Sequence, residues 1–126
     1  MGLDMYVYKT REKFDQPVDF KSNQDMEEEI KYWRKFNNLH GWMERLYRQK
    51  GGDGEFNLTP VQLDSSDLDQ LEQDVKNKTN LEPTEGFFFG QLNDLNEEDE
   101  KDLLEFIQTA RQALKDGYTV FYTSWW

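Results

Sequence analysis

YWRKFNNLHGW, residues 32–42, holds two Trp, a Tyr, a Phe, two cations, two Asn and the only His of the chain. On a wheel of about 100° per residue, Tyr32, Phe36, Leu39, Met43 and Leu46 fall within about 40° of one line. That spacing predicts a helix whose core stripe these residues form. Upstream, Ser22 with Asp25 forms an N-cap pair and Glu27–Glu29 crowd the following turn, so the helix is expected to run from there to about Arg48. Arg34, Asn38, Gly41 and Arg45 then face solvent, and Lys35 and Trp42 lie on a flank. A second row, Trp33, Asn37, His40 and Glu44, lies roughly 110° around the helix.

That second row is the candidate site. It aligns an indole, an amide, an imidazole and a carboxylate, group types that line small-molecule pockets. His40 and Glu44 stand at i and i+4, close enough to hydrogen bond and fix a tautomer. The same groups also suit boundary packing over a sheet edge. Arg34 joins the row only by reaching around the helix from about 100° away. Two ligands of the HxxxE type are too few for a metal, and with no Cys or second His a site would need distant carboxylates. No metal and no cofactor is expected.

Outward from this segment, GLDMYVYK (2–9) alternates, with Leu3, Met5 and Val7 on one face and Asp4, Tyr6 and Tyr8 on the other, a strand signature. A polar loop follows through Pro17. GGDG (51–54) breaks the chain, EFNL (55–58) is a short strand candidate, and Thr59-Pro60-Val61-Gln62 reads as a helix start. Leu68, Leu71 and Val75 give that helix its apolar face. A loop covers 77–86, and Phe87–Phe89, closed by Gly90, is a buried strand candidate. Asn96 caps a last helix carrying Leu103, Phe106, Ile107, Ala110 and Leu114, which Gly117 ends. YTVFYTSWW (118–126) is a closing strand, with Trp125 expected in the core and Trp126 at its rim.

The order β-α-β-α-β-α-β predicts a single α+β domain over 1–126, three helices on one side of a small, mainly antiparallel sheet. The alternation also permits a parallel βαβ arrangement. At 126 residues there is room for one domain. The 15% aromatic content separates the chain from disordered acidic sequences, which lack apolar surface to offset ordering entropy.

Fifteen Lys/Arg against 26 Asp/Glu give a formal net charge of −11. Such a chain should repel nucleic acid, whose binding rests on neutralised phosphates, and favour a basic partner. If Glu27–Glu29, Asp64–Asp74 and Glu97–Glu105 shared a face, their carboxylates could imitate a row of phosphates; the same acids also suit helix caps and solvated faces. The absence of Cys excludes disulfides, thiolate zinc sites and a Cys nucleophile. Ser65, Ser66 and Ser124 have no His partner in view, and GGDGEF lacks the Lys of a phosphate loop. No apolar run approaches the length of a membrane span, and the N-terminus has neither a signal peptide's pattern nor a myristoylation motif.

GLDMY near the N-terminus, YWRKFNNLHGW, GFFFG before the last helix and YTSWW at the end together resemble a family of small uncharacterised phage and prophage proteins. The resemblance covers nearly the whole length. The family's ending is nearer S-S-W, where this chain has Thr123-Ser124-Trp125-Trp126. It implies a phage context and action in a bacterial cytoplasm, and brings no activity or catalytic residue with it. In that context Asp4, Tyr6, Trp33, Arg34, Asn37, His40, Phe88 and Trp125 could gather into an aromatic hollow for a planar ligand.

Three functions are therefore expected in order. The first is a non-enzymatic accessory protein that binds a host protein, as an acidic inhibitor of a defence or nucleic-acid-processing factor. The second is a small-ligand, nucleotide-like binder using Trp33, Arg34, Asn37, His40 and Glu44 with Asp4 and Tyr6. The third is a small hydrolase using His40 with nearby carboxylates.

Overall fold

The computed structural model describes residues 3–81 and 96–126. Its centre is strand β1, Asp4–Thr10, which pairs on both sides. The expected alternation holds: Leu3, Met5 and Val7 are fully buried, and Asp4, Tyr6 and Tyr8 turn to the other face.

The segment 28–34 departs from the helix expected there. Glu28–Arg34 is strand β2, hydrogen-bonded antiparallel to β1 with Tyr6 opposite Tyr32 and Met5 opposite Trp33. The physical cause is competition for the ladder. An isolated helix turn offers only local bonds, whereas EEIKYWR supplies Ile, Tyr and Trp to a pleated surface beside β1. The register slips between Val7 and Tyr8, so the strand carries a bulge. Lys35 then adopts a left-handed backbone, φ 56°, and its N–H donates to the Leu3 carbonyl at 2.8 Å, turning the chain. Helix α1 occupies Asn37–Gln49, so the lower part of the expected helix is present. Ser22 is not a helix cap: Asn23 caps a short 3-10 turn at Gln24–Met26, and the Ser22 hydroxyl donates to Glu27.

A second departure lies at 55–63. EFNL is not a strand, and Thr59-Pro60 does not open a helix. Instead Val61–Leu63 forms strand β3, with Val61 opposite Tyr122 and Leu63 opposite Val120 of the closing strand. Helix α2, Ser65–Asn77, starts a few residues later with a capping box. Asp64 accepts from the Asp67 N–H at 3.0 Å and Asp67 accepts from the Asp64 N–H at 2.9 Å. Asp–Asp can close this box as Ser–Glu does, because each carboxylate reaches the other residue's N–H.

From Asn96 onward the elements follow the sequence closely. Asn96 caps α3, Glu97–Lys115, by accepting from the Asp99 N–H at 2.8 Å, and four acids sit in the first turn where the helix dipole favours them. Gly117, at φ 89°, takes the left-handed turn that ends it. Strand β4, Thr119–Trp125, closes the sheet. The expected strand at Phe87–Phe89 lies outside the described residues.

The sheet runs β2-β1-β4-β3 with every neighbour antiparallel, which removes the parallel alternative. One face joins the helices. Leu3, Met5, Val7, Trp33, Val61, Val120 and Tyr122 meet Leu39 and Met43 of α1, Leu68 and Leu71 of α2, and Leu103, Phe106 and Ile107 of α3 in one cluster. Each fully buried Leu or Ile there contributes about 2 kcal/mol. Phe121 and Phe20 are buried too, yet lie outside that cluster. They belong to a separate aromatic group on the opposite face, with Phe20 edge-on to Phe121 at 5.3 Å and stacked on Phe14 at 4.0 Å.

Candidate functional site

With 28–34 in a strand, the row Trp33, Asn37, His40, Glu44 no longer lies along one helix. Trp33 stands on the inner face of β2, 7% exposed, edge-on to Phe106 at 5.0 Å. Its Nε1 donates to Asp102 on α3 at 2.7 Å, and Lys31 pairs with the same carboxylate. It packs at the boundary between sheet and helix.

His40 is 4% exposed in the core, 5.1 Å from the ring of Phe56. Its Nδ1 shares a 2.8 Å hydrogen bond with the Tyr122 hydroxyl. Burial lowers its pKa from 6.5 to about 4, so the ring is neutral at pH 7. Burial likewise pushes the Tyr122 phenol well above its ordinary value. Glu44 does not meet His40; it pairs with Arg48 at 3.2 Å, one turn on. The hydrolase reading thus loses its nearest His–carboxylate pair, His40 with Glu44.

Trp33, Arg34 and Asn37 do come together. Where β2 gives way to α1 they line a hollow of about 230 Å³ with Asn38, Asp99 and Asp102. The turn at Lys35 makes this possible: Arg34 ends a strand and Asn37 opens a helix, so Arg34 need not reach around a helix at all.

Asp4 and Tyr6 lie across the sheet from His40, on its open face. There Tyr6 stacks on Tyr8 at 5.8 Å and meets Tyr32 at 5.2 Å, while Tyr8 meets Phe121 at 5.6 Å. The Tyr32 hydroxyl donates to Asp4 at 2.5 Å. Next to Asp4 in the register is Trp125 on β4. Sequence reading placed Trp125 in the core and Trp126 at the rim; the structure puts Trp125 in solvent and keeps Trp126 partly buried against the core. Trp125 is 60% exposed, because alternation along β4 turns Ser124 inward and Trp125 outward. Trp126, beyond the strand, folds back: its Nε1 donates to the Phe56 carbonyl at 2.8 Å and its backbone N–H to Asn57 at 3.0 Å. The expected gathering of aromatic residues is split by the sheet, and Phe88 lies outside the described residues.

The open face holds a cavity of about 380 Å³ between Tyr6, Tyr8, Phe121 and Trp125. Sequence reasoning named Tyr6 but missed Tyr8, Tyr32 and Phe121 as companions. The signal was present in the alternation of 4–8 and 121–125; strand order, which brings the two together, was not. The acids Asp4, Glu27 and Glu29 border this face, with Arg34 opposite Asp4 on β2. The Tyr6 phenol is raised by burial and then by the charges of Asp4 and Glu29, and that of Tyr8 by burial and then by Glu27 and Glu29.

The α2 carboxylates are occupied within the fold. Asp67 also takes Lys50, Asp69 and Glu72 hold Arg111, and Asp74 is buried as an acceptor from Trp42, Gln70, Thr79 and Asn80. Among the described residues no three His, Asp or Glu converge in a way that would hold a metal ion, and no helix is long and apolar enough to cross a membrane. Compared with protein-family models, curated proteins and solved structures, the chain matches none.

Proposed function

We propose that the chain is a non-enzymatic binding protein whose partner is a basic protein; in the phage setting that its motifs imply, that partner is a factor of the bacterial host. One observation carries this reading: the open sheet face leaves Tyr32 and Trp125 substantially exposed beside Asp4, Glu27 and Glu29 in a chain of net charge −11. Large rings in solvent on a sheet face are characteristic of interaction sites, and the surrounding charge selects cationic partners. The inhibitor reading asks for a continuous acidic surface. The α2 acids, paired with Arg111 and Lys50, contribute little to one, so the negative field available to a partner is that of β1, β2 and the loop between them, and that of the exposed α3 acids Glu97, Glu98 and Glu105.

The test is capture from bacterial lysate by tagged protein, with Trp125→Ala and Tyr32→Ala as controls. Recovery of a basic or nucleic-acid-binding protein, lost with the variants and at high salt, is the expected result. Recovery of nothing basic would end the proposal. A second reading is favoured by the hollow of Trp33, Arg34 and Asn37, where a cation and an amide border an indole. A small planar ligand held there by Arg34, with Asp99 and Asp102 in the same hollow limiting the negative charge it can carry, would raise the melting temperature of wild-type protein and not of Arg34→Ala; no shift with any nucleotide would exclude it.

A further inference from the structure

We infer that the cavity on the open face of the sheet is a receptor for one arginine side chain of the basic partner, an inference that rests on the binding function proposed above. At about 380 Å³ it lies at the small end of ligand pockets, sized for a side chain. Tyr6, Tyr8 and Phe121 form its floor, and Trp125 and Leu58 its exposed rim.

Its chemistry is one-sided. Ring faces carry negative potential and attract cations. Among the described residues, Glu27 is the one charged group lining the cavity, and Asp4 and Glu29 lie near enough to act on the tyrosines of the floor. A cation on this side of the molecule, Arg34, acts on Tyr32 and lines the other hollow. An anion would be repelled. A purely apolar group would strip water from Glu27 without replacing it. A guanidinium suits all parts at once: it stacks flat on rings, is weakly hydrated and forks onto a carboxylate. The Ser22 hydroxyl holds one Glu27 oxygen and so orients that carboxylate.

A second, independent feature marks the same rim. Leu58 has φ 59°, a left-handed conformation that residues other than glycine adopt at a cost, and its side chain is 67% exposed. Its N–H donates to the Ser124 carbonyl at 2.7 Å, which holds it beside Trp125. Two large apolar side chains are thus fixed in solvent at one lip, where a partner's aliphatic arginine stem would cover them.

The test titrates the full chain at low salt with short peptides alternating Gly with Arg, with Lys or with Glu, followed by amide NMR shifts and Trp fluorescence. Tyr8→Ala, Trp125→Ala and Glu27→Gln are compared after circular dichroism shows them folded; Trp125 and Glu27 are surface positions, so loss of fold does not obscure the result. The Arg peptide should bind tightest and shift Tyr6, Tyr8 and Trp125, and each variant should weaken it about three- to fivefold. Equal binding by wild type and variants would overturn the cavity as the site while leaving a basic partner intact. Equal affinity for Lys and Arg would overturn the arginine assignment. If neither cationic peptide binds, the proposed function itself fails. Binding of a single-stranded oligonucleotide at these residues, or a dimer in sedimentation that Trp125→Ala dissolves, would assign the face to another occupant.

Discussion

Replacing His40 by Gln should remove the share of this fold's acid sensitivity between pH 7 and 4 that the buried imidazole causes. The imidazole is buried, bonded to Tyr122, and held at a pKa of about 4 against 6.5 when exposed. In that window the unfolded chain binds a proton that the native chain refuses, so stability falls as pH is lowered. Integrating the two titrations gives a loss of about 2 kcal/mol from pH 7 to pH 5 and about 3 kcal/mol to pH 4, levelling off below the folded pKa. Gln keeps a polar group for the Tyr122 hydroxyl and does not titrate. The comparison uses slopes against pH, so any fixed packing penalty of the variant cancels. Urea unfolding at constant ionic strength, read by Trp fluorescence, should show the wild-type and variant stabilities converging by about 3 kcal/mol as pH drops to 4. Parallel curves, or an imidazole that titrates near 6.5 in the folded protein by NMR, would refute the argument that burial keeps His40 neutral.

Three further outcomes are expected in the same urea assay. Asp74→Ala strands the buried Trp42 indole N–H and three further donors, and should cost about 3 kcal/mol or more. Gly52→Ala would put a Cβ 2.2 Å from Cζ of the buried Tyr47 ring, so overpacking of about 1–3 kcal/mol should appear together with loss of the Tyr47–Asp19 hydrogen bond; unchanged stability in that variant would mean the ring can move aside. Trp126→Ala should destabilise by about 2 kcal/mol and Trp125→Ala by less than about 0.5, the reverse of the order the sequence suggests.

Elements whose signals are local were legible. β1 and β4 announce themselves by alternation, and α3 by Asn96, its first-turn acids and Gly117. None of these depends on a distant residue. The segment 28–36 carries two patterns at once. Tyr32 and Phe36 fit a helical stripe continued by Leu39, while Ile30, Tyr32 and Trp33 are residues that favour a strand. Nothing within the segment weighs the ladder it gains beside β1. The same holds for Val61–Leu63, a run of three residues stabilised by β4 and hidden behind a Pro that resembles a helix start.

The candidate site divides in the same way. That His40 is the lone imidazole, that acids outnumber cations and that rings are plentiful were fixed by composition. The sequence by itself also determined the class of fold, because three apolar helices and alternating strands leave few ways to bury their faces. Only the tertiary structure decided on which side of the sheet each ring falls. One turn at Lys35 moves Trp33 from a helix row into the boundary with α3 and frees Arg34 to meet Asn37. Strand order then sets Tyr6 and Tyr8 beside Phe121 and Trp125, far along the chain. A strand's two faces differ by a single residue, and which face meets solvent depends on partners that its own sequence does not contain.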